Sequence, residues 1–141
     1  MPAAIAQGQE PPYIERALDL PALLAKKSHF LLGPRQTGKS FLVRRTLPGV
    51  RVYNLLENAT YLALSHNPGR IAQELSARDR IIVIDEILRL PELLNEVHLL
   101  IEERGARFLL TDGVKRTQAA TWRREPPRWA GAHEVSPPTD F

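Results

Sequence analysis

The sequence contains no cysteine, which excludes disulfides and thiolate metal sites and suits a reducing cytoplasm. No apolar stretch approaches the roughly 18 residues of a membrane span. The opening residues, "MPAAIAQGQEPP", lack the basic stretch and apolar run of a secretory leader. A soluble, cytoplasmic protein with no membrane partner is therefore expected. Charge of one sign is not in large excess: 19 Lys and Arg against 16 Asp and Glu give a formal +3. These charges are spread along the chain, so charge alone does not support a nucleic-acid partner. The histidines at 29, 66, 98 and 133 share no metal-ligand spacing, and no serine-centred nucleophile elbow occurs. What is present is ordinary globular composition, 43% hydrophobic and 25% charged over 141 residues, enough for one domain with one core.

Along the chain, helical and strand patterns alternate. After a Pro-rich leader over residues 1–12, "YIERALDLPALLAKKS" has helical spacing interrupted or restarted at Pro21. "HFLLG" is a short apolar run closed by Gly33, and "GKSFLVRRTLPG" is a helix stopped at Pro48-Gly49. "VRVYNLL" predicts a second strand, and residues 57–77 predict two short helices split at Asn67-Pro68-Gly69. "RIIVIDE" is apolar without alternation, as a strand covered on both faces requires. Leu93, Leu94, Val97, Leu100 and Ile101 then mark one helical face, with His98 beside it in a packing role, and "ARFLLT" is a fourth strand. This order argues for right-handed βαβ units in a three-layer α/β/α sandwich with a parallel sheet.

Two motifs carry chemistry. "GPRQTGKS", Gly33 to Ser40, has the Walker A pattern between a predicted strand and a predicted helix. Gly33 and Gly38 let the backbone curl so that N–H groups of the loop point at phosphate, and the helix that follows adds its positive end. Lys39 would reach the outer phosphates of ATP, and the Ser40 hydroxyl would ligate Mg²⁺. Pro34, Arg35, Gln36 and Thr37 complete the phosphate cradle, with local hydrogen bonding the expected part of Arg35 and Gln36. "IIVIDE" sets Asp85 and Glu86 at the carboxyl end of a buried strand, where open α/β sheets bind ligands. Asp85 would hold Mg²⁺ through water opposite Ser40, and Glu86 would orient and deprotonate an attacking water. Thr111, at the end of the fourth strand, is a further candidate for holding that water or sensing the γ-phosphate.

These stretches, with the leading "YIERAL", closely resemble the bacterial and archaeal AAA-type P-loop ATPases often labelled simply "ATP-binding protein". In that family the ATPase module precedes a C-terminal domain of obscure function, thought to be related to nuclease folds. The resemblance covers roughly Pro12 to Thr111. It implies Gly33 to Ser40 as Walker A, Asp85 and Glu86 as Walker B, Thr111 near the polar sensor, ATP and Mg²⁺ as cofactors, ATP hydrolysis as activity, and a homo-oligomer in the intact family. One departure is Leu88, where the family usually has Gln after "DEI".

The larger departure begins at Asp112, where the chain reads "DGVKRTQAATWRREPPRWAGAHEV". Read from the second base of each codon, permissible codons give "TGSSARKLRRGGVNLLAGR", the family's continuation. Trp has one codon, so Trp122 and Trp129 both become Gly in that frame, and they fall on the family's glycines. Residues 13–111 are accordingly expected to form an incomplete core. Residues 112–141 are expected to be an irregular, frameshift-derived tail. The resemblance places a fifth strand beside the first; with no candidate after Thr111, the first strand should be a bare edge and hydrolysis weak or absent. Two other readings compete: a remnant that binds nucleotide weakly without catalysis, and a nucleic-acid-binding fragment using the tail's Arg and Trp.

Overall fold

The computed structural model describes residues 19–33, 39–113 and 126–134. The first helix among the described residues, α1 (Leu20–Lys26), begins where Asp19 caps it: the Asp19 carboxylate accepts from Ala22 N at 3.2 Å, and Pro21 occupies the first turn. Proline there forfeits only an N–H that would have no helical partner, so Pro21 starts this helix rather than interrupting it. The expected helix before Asp19 and the leader lie outside the described residues. Lys26 sits in the last turn, the favourable sign for a helix C-terminus.

Five strands follow: β1 (Ser28–Leu32), β2 (Arg51–Asn54), β3 (Ile81–Asp85), β4 (Arg107–Asp112) and β5 (Ala130–Glu134). They form one parallel sheet in the order β2-β3-β4-β1-β5. Between them run α2 (Lys39–Thr46), α3 (Asn58–His66), α4 (Arg70–Glu74), a 3₁₀ turn (Ile87–Arg89) and α5 (Leu93–Arg104). Gly105 closes α5 in the left-handed region at φ 66°, the usual device for ending a helix.

Side chains alternate across the sheet and build two apolar layers. On one face Leu31, Val83 and Leu109 pack with Leu20 and Leu24 of α1 and Leu42 and Val43 of α2. On the other, Phe30, Ile82, Ile84, Phe108 and Leu110 pack with Leu64 of α3, Ile71 of α4, and Val97 and Leu100 of α5. Both faces of the sheet are covered, which is why the strands read as continuous apolar runs. Each such buried side chain contributes about 1.5–3 kcal/mol. Ser28, also buried, accepts from Phe108 N at 2.8 Å and so helps fix the β1–β4 register. Among the described residues, no helix is long and apolar enough to cross a membrane.

The expectation of a missing last strand is overturned. β5 pairs with β1 from Ser28↔Ala130 to Leu32↔Glu134, so β1 is an interior strand and not an edge. "AGAHE" has no β-branched or aromatic residue and therefore little strand propensity of its own. Its smallness is what fits: a Cβ on Gly131 would stand 2.6 Å from Nε2 of the buried His29 ring. His29 is itself tied down, with Nδ1 at 2.9 Å from the Lys27 carbonyl oxygen. Trp129, just before β5, packs on Phe30 and stacks on His98 of α5, each with ring centroids 5.8 Å apart. The region read as unstructured tail thus supplies a strand and an aromatic wedge. Asp112, placed at the start of that tail, is the last residue of β4 and is buried.

Candidate functional site

The candidate residues meet where β1, β4 and β3 end. Gly33 follows Leu32 directly, and its φ of 151° lies in a region that favours glycine. Its N–H donates to the Asp112 carbonyl at 3.1 Å, so the pairing of β1 with β4 continues to the residue where the chain leaves the sheet. Pro34, Arg35, Gln36, Thr37 and Gly38, assigned to phosphate binding, lie outside the described residues. The chain returns at Lys39, the first residue of α2. Lys39 is buried and its Nζ donates to the Gly33 carbonyl oxygen, so its ammonium lies against the strand end. Ser40, next in the helix, is exposed, and among the described residues no hydrogen bond joins it to Asp85.

Across the sheet, Asp85 ends β3 and accepts from Thr111 Oγ1 at 2.8 Å. Burial pushes the Asp85 carboxyl above the usual aspartate range; the Thr111 hydrogen bond opposes this, the neighbouring charge of Glu86 adds to it, and Lys39 opposes it. The influence of Lys39 places its charge within electrostatic reach of Asp85. Glu86 adopts the left-handed conformation, φ 60° and ψ 46°, the one positive-φ residue other than glycine among those described. Its Oε1 lies 3.4 Å from Gly113 N, a long hydrogen bond. Lys39, Asp85, Glu86 and Thr111 are thus brought to one end of the sheet.

Sequence reasoning missed Asp112, whose Oδ1 accepts from Leu88 N at 2.9 Å. Nothing in "LLTDG" marks that aspartate, because its partner is a backbone N–H 24 residues away. It also missed Tyr53 on β2, which donates to Glu74 of α4 at 2.7 Å, while Arg70 binds the same carboxylate at 2.6 Å. Burial, followed by the Glu74 contact, pushes the Tyr53 hydroxyl up to about 12, so it remains a protonated donor at any physiological pH.

Lys39, Asp85, Glu86 and Thr111 stand at the carboxyl ends of the strands of a parallel sheet, the place at which open α/β sheets bind ligands. Residues 25–137 match the family described as AAA domain, and the chain belongs to that family. No curated protein matches the chain. The match runs past Thr111 and through β5, in agreement with the five-stranded sheet.

Proposed function

We propose that this chain binds Mg-ATP at the ends of β1, β3 and β4 and hydrolyses it. The observation that carries this reading is the buried Lys39 held at the Gly33 carbonyl while its charge acts on Asp85. Burying an ammonium is costly unless it is satisfied, and the Gly33 carbonyl is one acceptor that does so here. An outer phosphate entering the loop would replace that carbonyl as the acceptor. The backbone N–H groups at the start of α2 would face the same anion.

Ser40 and Asp85 would hold Mg²⁺, Asp85 through water; the donor set is oxygen only, which suits a hard cation. Bound there, the ion would supply charge neutralisation at the β- and γ-phosphates. Glu86 would accept the proton of the attacking water, with Thr111 orienting either that water or the γ-phosphate. The Thr111 hydrogen bond favours the ionised form of Asp85, the form a cation needs. In P-loop enzymes an arginine from a neighbouring copy can add roughly 10³ to 10⁵ in rate, so turnover by an isolated monomer is expected to be slow. The test is nucleotide-dependent thermal stabilisation and multiple-turnover ATPase assays in wild type and Lys39→Ala. Loss of both in the variant supports the reading, and an equal response from the two proteins removes it.

The relation to the "ATP-binding protein" group, and the shifted frame, belong to the same proposal in narrower form. The shifted codons spell the family continuation from Asp112 to Ala130, which is where β5 starts. The AAA match continues to residue 137. The match and β5 are properties of the chain's own sequence and do not require a shifted frame; the proposal of one covers residues 112–141 and rests on the codon spelling alone. The bare-edge argument for weak binding falls with β5 in place. The gene's nucleotide sequence tests this: codons between residues 112 and 130 that fail to spell the continuation in the shifted frame end the idea.

A further inference from the structure

Asp112 joins two parts of the candidate site through different atoms. Its carbonyl oxygen accepts from Gly33 N at 3.1 Å, where the chain enters the phosphate loop. Its carboxylate Oδ1 accepts from Leu88 N at 2.9 Å, in the 3₁₀ turn that follows Asp85 and Glu86. The residue is only 6% exposed. A carboxylate so buried is costly without hydrogen-bond partners.

The turn it reaches is the strained one. A left-handed non-glycine residue such as Glu86 costs of order 1–3 kcal/mol and persists only when its surroundings fix it. The 3₁₀ turn closes itself with Arg89 N donating to the Glu86 carbonyl at 3.0 Å. The N–H of Leu88 comes before the first such bond and needs an outside acceptor. Glu86 occupies the N-cap position, where an acidic side chain ordinarily accepts from an N–H of the first turn. It makes no such bond. Asp112, from the neighbouring strand, accepts from Leu88 N instead, and the Glu86 carboxylate is directed toward Gly113 N.

We propose that Asp112 is a positioning residue that caps the acidic turn in place of Glu86 and ties that turn to Gly33, so that Glu86 is held at a fixed position relative to the phosphate loop. The inference rests on the Mg-ATP hydrolysis reading for its catalytic consequence. The clamp itself has a consequence independent of turnover, protection of the Leu88 N–H. An amide at residue 112 would still offer Oδ1 to Leu88, whereas a methyl group offers nothing.

The test uses the full chain as wild type, Asp112→Ala, Asp112→Asn and Lys39→Ala. Mg-ATP affinity, kcat at saturating Mg-ATP, melting temperature and hydrogen exchange at the Leu88 amide are measured. Asp112→Ala is expected to keep its affinity within about threefold while kcat falls about 10- to 100-fold, the scale of a misplaced catalytic group. Asp112→Asn should retain most of the wild-type kcat, and Leu88 exchange should accelerate in Asp112→Ala alone. Equal kcat in wild type and Asp112→Ala overturns the inference and leaves the hydrolysis reading intact. Parallel loss of affinity, kcat and melting temperature in both Asp112 variants overturns it in favour of a purely structural role. If Asp112→Ala fails to fold, Asp112→Asn carries the test, and loss of turnover in that variant with affinity kept overturns the proposal. A wild type without Lys39-dependent turnover removes the hydrolysis reading; the clamp then stands if Leu88 exchange accelerates in Asp112→Ala and falls if it does not.

Discussion

Thr111 Oγ1 donates a 2.8 Å hydrogen bond to Asp85 Oδ1, joining the ends of β4 and β3 side chain to side chain. The bond opposes the effect of burial on the Asp85 carboxyl, so the threonine helps keep a buried acid ionised. Thr111→Val preserves the shape and removes the donor. It should destabilise the fold by about 1–3 kcal/mol at neutral pH, the range for a hydrogen bond to a charged group. Urea denaturation of wild type and variant measures this, and an unchanged midpoint would show that the bond contributes nothing.

The Asp85 carboxyl, raised by burial, gives a pH dependence of definite sign. Between the ordinary aspartate pKa and its raised folded value, the native state holds a proton that the unfolded state has lost. Stability contributed by this group is therefore greatest at low pH and falls as pH rises through the folded pKa. Asp85→Asn should melt higher than wild type at pH 7, with the gap closing as pH falls below the ordinary aspartate range. The same variant should lose the magnesium-dependent part of any nucleotide response. A variant that melts lower than wild type at pH 7 would contradict the sign.

β5 is tested at its tightest point. Gly131→Ala would bring a Cβ to 2.6 Å from the His29 ring, which is buried and has its Nδ1 2.9 Å from the Lys27 carbonyl oxygen. Overpacking of this kind costs about 1–3 kcal/mol. A matching drop in stability by chemical denaturation is expected. An alanine variant as stable as wild type would show that residues 130–134 do not lie beside β1.

The parts legible in the sequence were those whose signal is local. "IIVIDE" and "RFLLT" announce buried strands because both faces of β3 and β4 are covered. The spacing of Leu93, Val97 and Leu100 announces the face of α5 that packs on the sheet. Asp85, Glu86 and Lys39 stand out in the sequence by local pattern, the first two closing an apolar run and the third following Gly38, and the structure brings them to one end of the sheet. What escaped depends on neighbours distant in sequence. "AGAHE" becomes a strand because β1 offers a free side and His29 leaves room only for glycine. Asp112 reads as the first residue of an irregular tail, whereas it ends β4 and its carboxylate accepts from Leu88 N. Trp129 falls in the stretch proposed to be frame-shifted, and its ring packs against both Phe30 and His98.

Nucleotide binding through Lys39 is the centre of the account, and thermal unfolding with and without Mg-ATP tests it most directly. A ligand at about 100 times its Kd stabilises the native state by about 2.7 kcal/mol, which for a chain of this size raises the melting temperature by roughly 8–10 °C. The account predicts such a rise in wild type and its loss in Lys39→Ala. A wild type that does not respond to saturating Mg-ATP, or a Lys39→Ala variant that responds equally, would contradict it.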